Sequence, residues 1–284
     1  MRGLTIALLC ASFSAAQTPR RIVSTAPNVT EMLFAIGLGP SVVGDTTFCR
    51  YPEAARHLPK IGTFLEPDFE RILALRPTLV ITITNPIQLT DRLRRLHLNV
   101  VEVDPNTIPG IFTSLRAIGD AAGAAPAAAD LSARLQKQLD LLRRTAPSLP
   151  PRKVLFLVGR NPGTLDGLVA AGKGTYLDEL LAIAGGRNLL GDSPIPYPKV
   201  SVETILSRDP DVIIDMGDAA HAEGAPREKK EEVLALWSRY PRVKAVQDKH
   251  VYAVADDRFV VPGPRVVEAA REFRRLIHPE APLP

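Results

Sequence analysis

Two glutamates occupy the same place in a segment that occurs twice. Glu70-Arg-Ile-Leu-Ala-Leu-Arg-Pro77-Thr-Leu-Val-Ile81 matches Glu203-Thr-Ile-Leu-Ser-Arg-Asp-Pro210-Asp-Val-Ile-Ile214, with Glu, Ile, Leu, Pro and the final Ile at equal offsets. Asp68 and Ser201 precede them as N-cap residues, so each copy predicts a short helix, a proline stop and a buried strand. The helix dipole alone favours a carboxylate in the first turn. The occurrence of this carboxylate in both copies predicts two equivalent acidic positions that dock onto a symmetric partner.

The sequence contains no residues with the spacing of a catalytic or metal-binding motif. The five histidines are dispersed, at positions His57, His97, His221, His250 and His278. The run from Gly167 to Gly174 nearly matches a phosphate-binding loop, but Gly174 stands where that loop needs Ser or Thr. Cys49 would need a histidine partner that the sequence does not locate. We therefore predict a protein that is not an enzyme and has no cofactor; an exported α/β enzyme is the alternative.

The aromatic residues are few, and several lie in loops that follow strands. Phe48, Tyr51 and Phe64 lie in the first half, and Tyr197 and Phe259 in the second. In parallel sheets, ligands bind beyond the carboxyl ends of the strands. These side chains could form flat apolar walls for a large planar ligand, or each could pack within its own loop.

The elements that must position these residues alternate between strands and helices. Strand patterns occur near 21–25, 42–44, 78–83 and 99–103, and they resume in the second half. This rhythm predicts an α/β fold with two Rossmann-like lobes, joined by a single long backbone helix, and a ligand cleft between the lobes. A stiff connection limits how far two lobes open. Pro126 would kink or split the helix.

The predicted domains are a leader segment, two lobes and the helix between them. They cover 1–16 (signal peptide), 17–110 (N-terminal α/β lobe), 111–146 (backbone helix) and 147–284 (C-terminal α/β lobe). Arg2, the short apolar run and Ser14-Ala-Ala16 are typical of a secretory signal, and lipid attachment at Cys10 is the alternative. The net charge of +4 is scattered, which argues against nucleic-acid binding. We expect a periplasmic protein, monomeric and without a disulfide.

An ordered set of short motifs spans nearly the whole mature chain. It includes Arg21-Ile-Val-Ser-Thr-Ala-Pro27, Asn28-x-Thr30-Glu31, Tyr51-Pro52, Gly185-Gly186-x-Asn188 and Val251-Tyr252. The set resembles the extracytoplasmic solute receptors for iron complexes and vitamin B12, which deliver ligands to ABC importers. The resemblance implies a permease and its ATPase as partners. It also implies that Glu70 and Glu203 match the glutamates that dock onto permease arginines.

Within that family the chain is most similar to the cobalamin-binding branch. The similarity lies in Thr46-Thr-Phe-Cys-Arg-Tyr-Pro52 and Pro196-Tyr-Pro-Lys-Val-Ser201, although tryptophans common at two of the branch's aromatic positions are absent here. The ligand residues predicted on this basis are Phe48, Cys49, Arg50, Phe64, Tyr197, Asp257 and Arg258. A ferric siderophore would favour cleft arginines, with Arg50, Arg160 and Arg258 as candidates. Haem would favour a His or Tyr axial ligand.

Overall fold

A four-stranded parallel sheet organises the N-terminal half. The computed structural model describes residues 20–85, 87–217 and 229–284. The strands are β1 Ile22–Ser24, β2 Val42–Gly44, β3 Leu79–Ile83 and β4 Val100–Val103, in the order β2-β1-β3-β4. The helices are α1 Pro27–Ala35, α2 Phe69–Ala74 and α3 Leu89–Arg95, with 3₁₀ turns at Gly39–Ser41 and Glu53–His57. Short apolar strands of this kind are typical of a sheet covered on both faces.

The segment between the lobes corrects one prediction. In place of one helix over 111–146, the structure has α4 Ile108–Ala122 and α5 Ala125–Thr145. The break is at Gly123, whose φ of 69° is the left-handed conformation that ends a helix, and Ala124 N–H bonds the Gly119 carbonyl. The two helices fold back on each other because Gly119 packs against Ala128, where an added Cβ would lie 2.5 Å from the alanine methyl.

A second, mostly parallel sheet organises the C-terminal half. Its strands are β5 Arg152–Gly159, β6 Val169–Ala170, β7 Gly186–Asn188, β8 Val212–Asp215 and β9 Val251–Ala253. The order is β6-β5-β8-β9, with β7 also beside β5 and only β6 antiparallel among these pairs. The helices are α6 Tyr176–Ile183, α7 Val202–Arg208, α8 Lys230–Trp237, α9 Lys244–Gln247 and α10 Val266–Ile277, with 3₁₀ turns at Ala146–Ser148 and Asp257–Phe259.

The duplicated sequence segment is a duplicated structural unit. In each lobe a capped short helix leads into the third strand of the sheet, α2 into β3 and α7 into β8. The Asp68 carboxylate accepts from Arg71 N–H, and the Ser201 hydroxyl accepts from Thr204 N–H, which fixes the first turn of both helices. The two-lobe α/β prediction is confirmed.

The lobes share their largest apolar cluster. It combines residues of the first sheet, α4 and α5 with residues of α6, α10 and the second sheet, and each lobe has a further, smaller cluster of its own. Arg274 of α10 is fully buried and donates to the carbonyls of Leu142, Ile183 and Ala184 at 2.7–3.1 Å. This arginine therefore ties the ends of α5 and α6 to the last helix. None of the helices in the described ranges combines the length and hydrophobicity needed to cross a bilayer.

Candidate functional site

The loop after β2 is held from beneath by buried polar contacts. Lys60 Nζ lies 2.7 Å from Asp45 Oδ1 and donates to the Ala55 carbonyl at 2.8 Å and to the Cys49 carbonyl at 3.4 Å. Burial raises the pKa of Asp45 to about 6, against the opposing effect of Lys60. One cation thus fixes the start, middle and end of the loop that carries Phe48 and Tyr51.

Cys49 supports this loop and does not line the cleft. Its side chain is 1% exposed, and its sulfur lies 3.1 Å from the hydroxyls of Thr30 and Thr46. Burial raises the pKa of the thiol to about 11. The prediction of Cys49 as a ligand-binding residue is therefore corrected: it points into the protein because the hydroxyl pair and the apolar surroundings accommodate a small neutral thiol.

The predicted wall residues differ in exposure. Phe48, Tyr197 and Tyr51 are 40%, 45% and 47% exposed, so a substantial part of each aromatic side chain is in contact with solvent. Phe64 is half-buried and packs against the shared core. Burial raises the pKa of Tyr176 well above its usual value, and the nearby Tyr197 phenol adds to this rise. Three aromatic surfaces, two from the first lobe and one from the second, are thus available to a ligand.

The charged candidates also differ. Arg50 is exposed, while Arg258 is half-buried and paired with Asp256 at 2.6 Å. Arg160 is fully buried, and its Nε lies 3.0 Å from Asp215, which also accepts from Trp237 Nε1 at 2.8 Å. Arg160 is therefore a structural residue beneath the second sheet's carboxyl edge and offers no surface to a siderophore.

One arginine joins the two lobes at the strand ends. Arg265, immediately before α10, donates through Nε and Nη2 to the Glu31 carboxylate of α1 at 2.9 and 2.5 Å. Its Nη1 donates to Asp257 at 2.9 Å, and its guanidinium carbon lies 4.5 Å from the Tyr51 ring centroid. Burial raises the pKa of Glu31 to about 7, although Arg265 opposes this rise. Helix α1 and the loops after β2 and β9 consequently meet at Arg265.

The structure brings Tyr51 and the predicted residue Asp257 together through Arg265. Sequence reasoning missed both Glu31 and Arg265, which are separated by most of the chain. The sequence does contain one indication of this pair, because Glu31 lies next to the apolar residues Met32 and Leu33 of the same predicted helix. A carboxylate on a buried helix face requires a partner. No sequence pattern identified that partner as Arg265.

Glu70 and Glu203 are exposed in the first turns of α2 and α7. A backbone hydrogen bond and the Ser201 hydroxyl lower the pKa of Glu203. Both carboxylates therefore lie at equivalent positions of the duplicated unit, one on each lobe.

Other features in the described residues carry no site chemistry. A cavity of about 800 Å³ lies between α4, α5 and α6, and none of the predicted ligand residues lines it. The parts of the chain that the structure describes contain no cluster of three His, Cys, Asp or Glu residues suited to a metal ion. The segment from Gly167 to Gly174 contains β6 and is not a strand-to-helix phosphate loop. His221 lies outside the described residues.

Two α/β lobes with exposed aromatic side chains in the loops after their strands are typical of a protein that binds a ligand in a cleft. The chain belongs to the periplasmic binding protein family, Peripla_BP_2, which it matches over residues 22–257. Members of this family are ligand-carrying components of ABC importer systems and are not enzymes, which confirms the predicted family, class and absence of a cofactor role.

Individual relatives are similar over nearly their full length. The vitamin B12-binding protein of Pectobacterium carotovorum subsp. carotovorum (strain PC1) is 29% identical over 274 residues, covering 95% of this chain and 92% of the relative. The structure of the periplasmic vitamin B12-binding protein BtuF of Vibrio cholerae is 25% identical, with a TM-score of 0.76 and coverage of 91% and 96%. The periplasmic heme-binding protein HutB of Vibrio cholerae is 25% identical, with a TM-score of 0.79 and coverage of 92% and 100%.

Proposed function

We propose that this protein captures a corrinoid of the vitamin B12 type in the cleft between its lobes and delivers it to an ABC permease. The observation that carries the proposal is the exposure of Phe48, Tyr51 and Tyr197 on two lobes whose loops meet at Arg265. Broad aromatic surfaces with few polar groups suit a large, flat metal chelate. The names of the most similar curated relatives support the corrinoid over other chelates.

The test is a titration of the protein lacking residues 1–16 with cyanocobalamin, by calorimetry and visible absorbance. We expect one-to-one binding with a Kd of about 1 µM or tighter. Phe48→Ala and Tyr197→Ala should each weaken binding about tenfold or more, since each removes a desolvated aromatic contact. Leu141→Ala, an exposed apolar residue on α5, is the matched control and should not change the Kd. Absence of cyanocobalamin binding would overturn the corrinoid assignment.

Haem is the second candidate ligand. The similarity to HutB favours it, and the exposed phenols of Tyr51 and Tyr197 are groups that could ligate ferric iron. Titration with haemin should then shift the Soret band, and Tyr51→Phe or Tyr197→Phe should abolish that shift. Tight binding of cyanocobalamin without a Soret shift for haemin separates the two candidates.

We also propose that Glu70 and Glu203 dock the loaded protein onto the permease. The support is their exposure at equivalent positions of a duplicated unit, which suits a partner with two equivalent basic sites. Glu70→Ala/Glu203→Ala should leave the Kd for cyanocobalamin unchanged and lower uptake through the reconstituted transporter. Asp120→Ala/Asp130→Ala removes the same charge from α4 and α5 and serves as the control. Equal uptake by the two double variants would overturn the docking assignment.

Residues 1–16 are proposed as a cleaved signal peptide that exports the chain to the periplasm. The support is the basic, apolar and small-residue order of this segment. Mass spectrometry of protein secreted from the full chain should give a product beginning at Gln17. A product that begins at Cys10 with an added lipid would instead establish a membrane anchor.

A further inference from the structure

Arg265 contacts three residues through its guanidinium group. The edge formed by Nε and Nη2 donates to Glu31, Nη1 donates to Asp257, and one flat face lies over the Tyr51 ring. The arginine itself is 8% exposed. It therefore has little surface with which to contact a ligand, but it touches two residues that do have such surface.

The two residues that Arg265 holds come from different lobes. Tyr51 lies in the loop after β2 and is 47% exposed although the Arg265 guanidinium lies over its ring. The Asp257 side chain is 41% exposed, and only Oδ1 is bonded to Arg265. One arginine thus contacts an exposed aromatic ring and an exposed carboxylate.

We propose that Arg265 is the positioning residue that sets Tyr51 and Asp257 as one composite subsite for a planar ligand carrying amide or hydroxyl donors at its edge. The inference rests on the proposed function and deepens it. Glu31 is the anchor of this arrangement because its bidentate pair fixes the plane of the guanidinium. Lysine cannot replace the arginine, since it has neither the fork that spans two carboxylates nor a flat face for the ring.

Binding experiments test the subsite with cyanocobalamin as the probe. Arg265→Lys should raise the Kd about tenfold, mainly through faster dissociation. Tyr51→Ala should weaken binding clearly in the wild-type background and much less in the Arg265→Lys background, because the ring is no longer held in place. Arg271→Lys on α10 is the matched control and should behave as wild type. Equal effects of Tyr51→Ala in both backgrounds would overturn the proposal.

A second measurement needs no ligand and separates this proposal from the corrinoid assignment. With 3-fluorotyrosine incorporated, the ¹⁹F resonance of Tyr51 is identified by its loss in Tyr51→Phe. We expect this resonance to shift and narrow in Arg265→Lys and in Glu31→Gln, and to stay unchanged in Arg271→Lys. If wild type binds no cyanocobalamin but the resonance responds, the corrinoid assignment fails and the positioning role stands. If the resonance is the same in all folded variants, Arg265 does not position Tyr51.

Discussion

Replacing Lys60 by methionine tests the ion pair beneath the candidate ligand loop. Lys60 Nζ lies 2.7 Å from a carboxylate oxygen of Asp45, whose side chain is fully buried. Removing one partner of a buried pair leaves an uncompensated charge, which costs about 3–5 kcal/mol. Because the Lys60 side chain is itself 25% exposed and Asp45 can take up a proton when Lys60 is absent, we expect a smaller loss, about 2 kcal/mol in the free energy of unfolding at about pH 7.

The loss should depend on pH with a defined sign. Burial raises the pKa of Asp45 from 3.8 to about 6 in the folded protein. The folded state therefore holds this proton more tightly than the unfolded chain, and ionisation of Asp45 lowers stability as the pH rises through that interval. The contribution of Lys60 to the free energy of unfolding is largest above this pH interval, where Asp45 is charged. At about pH 5 the carboxyl is largely protonated with or without Lys60, so the loss should shrink to about 1 kcal/mol for the lost carbonyl bonds.

Urea denaturation followed by circular dichroism measures the loss in unfolding free energy, once above and once below the pKa of Asp45. Lys137→Met on the exposed side of α5 is the control and should change stability by less than about 0.5 kcal/mol. Asp45→Asn/Lys60→Met removes the buried charge as well and should recover part of the loss. A loss that is equal at both pH values, or no larger than that of the control, would refute the reasoning.

Three further predictions concern buried groups. Cys49 should react with iodoacetamide at least about 100-fold more slowly in the native protein than in denaturant, because its raised pKa leaves little thiolate; fast native labelling would contradict its burial. Arg274→Met removes the buried donor that the carbonyls of Leu142, Ile183 and Ala184 share. It should lower the free energy of unfolding by about 3 kcal/mol, with no change for Arg271→Met; equal urea midpoints for the two variants would argue against this. Asp215→Asn removes the charge facing Arg160 and should lower the free energy of unfolding by about 3 kcal/mol. It should also alter the fluorescence emission of Trp237, the chain's only tryptophan, which donates to Asp215. An unchanged emission and an unchanged urea midpoint would contradict these contacts.

Local signals explain which elements could be predicted. The duplicated helix and strand units were predictable because each copy contains its own N-cap, apolar run and proline stop within a few residues. Between the lobes, the sequence predicts one helix over 111–146 that Pro126 would kink or split, whereas the structure has two helices that separate at Gly123. Proline is tolerated in the first turn of α5, whereas Gly123 ends α4 by adopting the left-handed conformation.

The candidate site was only partly predictable. Ligands bind beyond the carboxyl ends of parallel strands, so aromatic residues in the loops there are expected to be exposed. Phe48 and Tyr197 are exposed as this rule predicts. The burial of Cys49 depends on two hydroxyls that only the folded chain places around its sulfur. The pairing of Glu31 with Arg265 joins two lobes, so no periodicity within either one could reveal it.

The contacts between the lobes bear on how the cleft works. Beside the shared core, the Glu179 carboxylate of α6 accepts from Ile108 N–H at 2.8 Å and so caps α4 from the opposite lobe. Arg265 and Glu31 add a bidentate pair between α1 and the segment before α10. Opening the lobes widely would expose this core and separate both carboxylates from their partners, which is costly for buried groups. We therefore expect the walls of the cleft to be largely preformed, and the affinity to depend more on the fit of a rigid ligand than on closure of the lobes.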